Sequence, residues 1–186
     1  MNSRLFIFLQ ANGADHMQGV ERGKVYLAEH DRAWQIEFLQ AKAMLMTILG
    51  PHISDIEHVG STAVPGLIAK PILDLALITD EALGKTAVDR LLAAGYDDRG
   101  ESSPPGRHLF VLRKDGRLSV QHLHVFLPRH PDLLAMVRFR DLLIASPELA
   151  HGYEELRAAP VRPLCRRSTV VYRRQGGLYH ACAARR

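Results

Sequence analysis

The sequence predicts an α+β domain, a mixed α/β arrangement in which one sheet carries flanking helices. Three observations lead there. "PILDLALI" (71–78) is a short apolar run rich in branched residues, the pattern of a buried strand. "RHLFVLRKDGRLSVQHLHVF" (107–126) places two alternating segments around Asp115-Gly116, a dipeptide suited to a type I′ turn, so one strand pair must be antiparallel. Trp34, Phe38, Ala41, Leu45 and Ile48 recur at steps of four and three, which is the apolar stripe of a one-faced helix. Strands and helices follow one another in mixed order, and neither G-x-G-x-x-G after a strand nor G-x-x-x-x-G-K-[ST] occurs, so a doubly wound dinucleotide fold is excluded.

Residues 1–23 carry no convincing period and are expected to form an unstructured extension, with a single domain over 24–186. "KVYLAEH" reads as a short strand, and Asp31 is placed to cap the helix that Gly50-Pro51 stops. "ISDIEHVGS" is a strand entering a turn at Gly60-Ser61. After "PILDLALI", Asp80 begins the approach to a helix with Leu83, Ala87, Val88, Leu91 and Leu92 on one face and Gly95 at its end. "ESSPPGR" reads as a loop. In the hairpin, a two-residue turn sets Lys114 against Arg117, Leu109 against His122 and Arg107 against His124. Phe110, Leu112, Leu123 and Val125 then face the core, while Arg107, His122 and His124 share the other side with Leu109, Val111 and Val120. "PDLLAMVRFRDLLIA" and "PELAHGYEELR" are helices, the second opened by Ser146 and Pro147. A last helix is expected within 168–184, although Gly176-Gly177 weakens the pattern there.

A chain of 186 residues can close one core, and no apolar run approaches the roughly 20 residues that span a bilayer. "RLFIFLQ" near the start is too short for a signal-peptide core, so a cytoplasmic protein is expected. Cys165 and Cys182 lack C-x-x-C spacing and suggest neither a disulfide scaffold nor a zinc knuckle. The formal net charge of +4 owes much to C-terminal arginines, yet no aromatic residues alternate with them as a stacking platform requires. The partner expected is therefore a small molecule, with nucleic acid disfavoured.

Four groups of residues carry chemistry. Asp74 lies in a strand whose leucines, Leu73, Leu75 and Leu77, take the core, so its charge needs a cation, a metal or several donors on the opposite face. Gly60, Ser61 and Thr62 offer flexible amides and two hydroxyls suited to a phosphate, and an ordinary turn would also use them. His122 and His124 stand on one strand face about 6–7 Å apart, close enough to ligate one metal or grip one substrate. Arg107 faces them. Arg140 and Asp141 are adjacent on a helix and are not expected to pair with each other; Arg140 either ties helix to sheet or contacts a substrate anion.

"IEHVGSTAVPGLIAKPILDLALI", "GY" at 95–96, "HLHV" at 122–125, "FRDLL" at 139–143 and "SPELAHGYEEL" together resemble the GrpB family over residues 25–157. That resemblance implies a nucleotidyltransferase fold of the polymerase-beta type, with a Gly-Ser turn holding a nucleoside triphosphate. It also implies two strand carboxylates, one residue apart, and a third from a later strand, which together hold divalent metals. Gly60 and Ser61 match the turn, and Asp74 matches the first carboxylate. The second position is Ala76, and the later strand brings His122 and His124. The leading expectation is a nucleotidyltransferase-like enzyme that transfers a nucleotidyl group to a small acceptor, with Asp74 as metal ligand or base and Asp74, His122 and His124 as the catalytic set. Three readings stay open: a single-metal centre of Asp74, His122 and His124, with zinc, iron or magnesium as the ion, serving transfer or a different reaction; a nucleotide or phosphorylated small molecule held by Gly60, Ser61, Thr62, Lys70, Arg107 and Arg140; or a binding or regulatory module.

Overall fold

In the computed structural model, which describes residues 19–50, 53–102, 106–158, 169–174 and 177–181, the elements run β1 (Val20–Glu21), β2 (Lys24–Leu27), α1 (Ala33–Leu49), β3 (Asp55–Val59), a 3-10 turn (Ser61–Ala63) and β4 (Leu73–Ile78). They continue with α2 (Lys85–Ala93), β5 (Tyr96–Ser102), β6 (Arg107–Lys114), β7 (Leu118–Phe126), α3 (Pro131–Ala145), α4 (Pro147–Ala158), β8 (Thr169–Arg174) and β9 (Gly177–Ala181). The main sheet has the order β3-β4-β7-β6-β5, with β4 and β7 parallel and β1 joined to the start of β7. A second sheet, β2-β8-β9, is built on a parallel β2-β8 pair. Among the described residues, no helix is long and apolar enough to cross a membrane.

One face of the main sheet makes the core. Leu73, Leu75 and Leu77 from β4, Leu123 and Val125 from β7 and Phe110 and Leu112 from β6 pack beneath Trp34, Phe38, Ala41 and Leu45 of α1 and Ala87 and Leu91 of α2. The stripe of α1 ends on Leu49, with Ile48 at its margin. Asp31 Oδ1 accepts from the Ala33 N–H at 2.8 Å, so the helix start is held where the sequence placed a cap. The opposite face is partly covered by α3. There Val59, Ala76, Phe126 and Leu133 form a second apolar cluster with Met136 and Val137 at its edge. The same face carries Asp74 and His122, each about one-third exposed, and His124, which is buried.

Asp115 and Gly116 both take positive φ, and the Arg117 N–H donates to the Lys114 carbonyl at 3.1 Å, the mark of a type I′ turn. The register beyond the turn corrects the expectation. Lys114 pairs with Leu118, and a second one-residue shift falls between Leu112 and Arg113, so Leu109 pairs with His124, Val111 with His122 and Arg107 with Phe126. Two shifts of one residue restore the original faces, which keeps Arg107 and His124 on one side. Val120 lies inside the irregular stretch and packs in the main core, not beside the histidines.

Other expectations change as well. Val20 and Glu21, assigned to the extension, pair with Ser119 and Leu118; residues 1–18 lie outside the described residues. Helix α2 begins at Lys85 behind Gly84, and Asp80 instead accepts from Ser54 Oγ at 2.8 Å. Glu101 and Ser102, read as loop, close β5, an edge strand whose charged "YDDRGES" hides any alternation. The C-terminal helix is replaced by strands β8 and β9, an antiparallel pair. "TVVY" is a β-branched and aromatic run, which favours a pleated strand over a helix.

Candidate functional site

Asp74 stands at the entrance of β4, on the face opposite the leucine core, between β3 and β7. It is paired across β3 with Val59 and across β7 with His122. Its Oδ1 accepts from His122 Nδ1 at 3.1 Å and lies 3.6 Å from His124 Nε2. Burial pushes the Asp74 carboxyl up, but the hydrogen bond from His122 and the contact with His124 outweigh it and bring the pKa down to about 2. The carboxylate is therefore ionised at neutral pH, which answers the need for donors that its place in an apolar strand creates.

The Gly60 turn presses on this carboxylate. Gly60 has φ of 73° and ψ of −172°, a conformation that side chains avoid, and a Cβ there would collide with Asp74 Oδ2 and lie 3.0 Å from Asp74 Cβ. Ser61 follows, and its Oγ accepts from Arg157 on α4 at 2.8 Å. Arg157 also donates to the Ile68 carbonyl at 3.2 Å, while the Ile68 N–H donates to Glu154 at 2.7 Å. Helix α4 thus clamps the turn and the loop behind it, helped by Val64 and Leu67 packing with Leu143. Thr62 turns inward: it is buried, donates to the Ile72 carbonyl at 3.3 Å and meets His58 Nε2 at 3.1 Å. Lys70 is half-buried with no side-chain ion pair among the described residues.

The histidine side of the site is organised by Arg107. From its position opposite Phe126, the guanidinium reaches diagonally to His124 Nδ1 at 3.0 Å. Asp132, in the first turn of α3, accepts from the same guanidinium at 3.3 Å, and the Phe126 ring lies 5.8 Å from it. His130 in turn accepts from the Asp132 N–H at 3.1 Å and caps α3. A continuous polar line therefore runs His122, Asp74, His124, Arg107, Asp132.

The structure brings Gly60, Ser61, Asp74, His122, His124 and Arg107 together. Arg140 is committed elsewhere: it donates to Glu57 at 2.6 Å, to the His58 carbonyl at 2.7 Å and to Asp141 at 2.8 Å. The pairing with Asp141 overturns the expectation for adjacent helix residues, because Asp141 Oδ1 reaches back to the Nε of a side chain already bent toward β3. Arg157 and Asp132 were not singled out in the sequence. Tyr153, Glu154 and Arg157 do share one side of a helix, but nothing local to "PELAHGYEELR" says that this side meets the turn.

The two-carboxylate metal arrangement does not fit. Ala76 is fully buried within the apolar cluster beneath α3 and is paired with Glu57 and His124, so a carboxylate there would be shut from water and set beside the Glu57 carboxylate. For one ion, the ligand atoms of Asp74, His122 and His124 lie within 4.8 Å of one another, and an oxygen with two imidazoles suits zinc or iron better than magnesium. The donor atoms are right for such an ion; the guanidinium behind His124 is not.

Comparison with known proteins agrees with this architecture. The chain is 36% identical to the glutamate-rich protein GrpB of Alkalihalophilus pseudofirmus over 146 residues, covering 76% of this chain and 83% of the relative. It is 32% identical to UPF0157 protein YqkA of Bacillus subtilis over 135 residues, 72% of this chain but only 39% of that relative's length. A crystal structure of the conserved protein GrpB from Enterococcus faecalis superposes with a TM-score of 0.64 at 29% identity, over 71% of this chain and 80% of that one. Cid1 poly(U) polymerase with MgGTP bound superposes with a TM-score of 0.50 at 13% identity, over 69% of this chain and 43% of that chain, a likeness of fold alone. The nucleotidyltransferase-like fold is thereby established. The family description "GrpB protein" matches residues 24–173, which take in the Gly60 turn, Asp74 and both imidazoles, and the chain therefore belongs to the GrpB family.

Proposed function

We propose that the protein binds a nucleotide or another phosphorylated small molecule at this site and transfers a nucleotidyl group from it to a small acceptor. The observation that carries the reading is the junction of turn and carboxylate: Gly60 abuts Asp74 while Arg157 donates to Ser61 Oγ. Phosphate oxygens would take the Ser61 hydroxyl and the Arg157 guanidinium, a charge-assisted pairing, with Arg107 adding positive charge from the histidine side of the site. Because Asp74 accepts the His122 Nδ1–H, the His122 Nε2 keeps its lone pair. That nitrogen would take the proton of an acceptor hydroxyl as its oxygen attacks the α-phosphorus and the α–β phosphoanhydride bond breaks to release pyrophosphate, and Asp74 would stabilise the imidazolium formed.

Isothermal titration with nucleoside triphosphates, in buffer containing a chelator, tests the binding, and pyrophosphate release tests the transfer. Binding is expected to weaken at least tenfold in Arg157→Gln, whereas His122→Ala should bind within a few-fold of the parent and release no pyrophosphate. Binding without release in the parent protein would point to a ligand-binding or regulatory module. Failure of every triphosphate and of inorganic phosphate to bind would overturn the reading altogether.

A second reading has the convergence of three ligand atoms in its favour: a single transition-metal ion held by Asp74, His122 and His124. Protein purified without chelator would then carry close to one metal per chain, lost in His124→Ala.

A further inference from the structure

We infer that Arg107 fixes the proton of His124 on Nε2 and so keeps the Asp74, His122 and His124 cluster as a polar relay closed to metal ions. This inference rests on the metal-free reading of the site, and it deepens that reading by giving the two histidines different roles.

The argument starts from donor and acceptor chemistry. A guanidinium carries only N–H donors and stays protonated at any working pH, so whatever lies at hydrogen-bond distance from it must accept. Arg107 is 3.0 Å from His124 Nδ1, which makes Nδ1 the bare, accepting nitrogen of that ring. A neutral imidazole has one N–H, so the proton is on Nε2. That nitrogen faces the ionised Asp74 Oδ1 at 3.6 Å, an ion-pair contact just longer than a hydrogen bond. Each contact in the line then runs from a donor to an acceptor: His122 Nδ1–H to Asp74, His124 Nε2–H to the same oxygen, Arg107 to His124, and Arg107 to Asp132.

A metal ion would reverse this order at His124. To ligate through Nε2, the ring must move its proton to Nδ1, and metal-bound histidines hold that N–H with a carboxylate, a carbonyl or water behind it. Here the group behind is a donor, so two N–H groups would face one another. The guanidinium charge adds a second obstacle, because it stands directly behind a ligand that would carry a dication. Arg107 cannot easily step aside either, since Asp132 at the start of α3 holds it and the Phe126 ring lies against it. His122 has no such constraint, because its second nitrogen is not engaged by any described residue and its side chain is about one-third exposed. His124 and Arg107 are accordingly positioning residues, and His122 is the group free to exchange a proton with a ligand.

Cobalt(II) is the probe for metal binding, because its visible absorption intensifies when imidazole and carboxylate ligate it. The wild-type protein is expected to leave the spectrum of the aquo ion unchanged at stoichiometric cobalt, while Arg107→Gln, whose amide oxygen can accept an Nδ1–H, binds cobalt at least tenfold more tightly. Nitrogen-15 NMR of imidazole-labelled wild-type protein gives a measurement that no variant's folding can compromise. It should report a bare Nδ1 and a protonated Nε2 for His124, with the Nδ1 signal shifting in Arg107→Lys. A protonated Nδ1 in the wild type, or stoichiometric cobalt binding lost in His124→Ala, would overturn the inference. Titration with ATP under chelator runs alongside: loss of ATP binding with the tautomer as stated refutes the proposed function alone, and the reverse pattern refutes the relay alone.

Discussion

Gly60 and Asp74 are in direct contact, with the backbone of one against the carboxylate of the other, so the turn and the charged residue of the site form a single unit. The contact works only without a side chain at 60. In Gly60→Ala the new methyl would meet Asp74 Oδ2, and its backbone would sit in a glycine-only conformation that costs about 1–3 kcal/mol. Urea unfolding should show a loss of that order. Ligand binding should fall further than stability, because relief comes by pushing Asp74 away from His122. A variant with parental stability and parental affinity for triphosphate would show that the turn and carboxylate are independent.

Ala76→Asp rebuilds the pair of strand carboxylates in sequence but not in structure. Position 76 lies under α3 among Val59, Phe126 and Leu133 and is paired with Glu57 on β3 and His124 on β7, so the new carboxylate would be shut from water and set beside another carboxylate. Burying that charge costs up to about 3–5 kcal/mol. The expected outcome is a large drop in unfolding free energy with no magnesium-dependent activity, measured by denaturant titration and pyrophosphate release. Gain of magnesium-dependent turnover in a stable Ala76→Asp protein would sink the claim that α3 has closed this position.

The parts of the site that were legible in the sequence are those set by strand period. Asp74 amid leucines and His122 two residues from His124 declare their faces through alternation alone, which survives any register error of two. The register itself was not legible, because the hairpin gains one residue at the turn and another near Val120, and irregularities of that kind leave no compositional mark. Arg157 and Asp132 were hidden for a different reason. Each acts across a tertiary contact, α4 against the turn and α3 against β6, and helix orientation there depends on packing such as that of Leu143 with Val64 and Leu67. Strand β8 is marked only by the short β-branched "TVVY", and β9, "GLYHA", has no β-branched residue and starts at a glycine, so neither stretch is long enough for its period to tell strand from helix.

Arg140 distinguishes a structural from a ligand-binding guanidinium. Its bonds to Glu57 and the His58 carbonyl join α3 to β3 behind the site. Arg140→Met should lower stability by about 1–2 kcal/mol, the loss of charge-assisted hydrogen bonds in a half-buried place. Affinity for triphosphate, measured well below the melting temperature, should stay within a few-fold of the parent. A hundredfold loss of affinity at unchanged stability would instead assign Arg140 to the ligand.

His58 makes stability depend on pH in a defined window. Burial, with a smaller push from Arg140 that Asp74 opposes, lowers its pKa from 6.5 to about 4. The geometry agrees with that direction. Thr62 Oγ1 spends its hydrogen on the Ile72 carbonyl, so His58 must donate to it from Nε2, and the buried Nδ1 has no partner among the described residues to receive from it if protonated. Between pH 6.5 and 4 the unfolded chain takes up a proton at His58 that the folded chain refuses, so stability falls as the pH drops through that range. The contribution approaches about 3 kcal/mol at the lower end, at roughly 1.4 kcal/mol per pH unit. Asp74 adds a separate loss only below its ordinary value of 3.8, as the pH falls toward 2. Urea unfolding at pH 7 and pH 5 should therefore differ clearly in the parent and much less in His58→Gln, whose side-chain amide still donates to Thr62. Some slope remains in that variant because burial lowers His30 as well. Equal slopes in the two proteins would remove His58 as the cause.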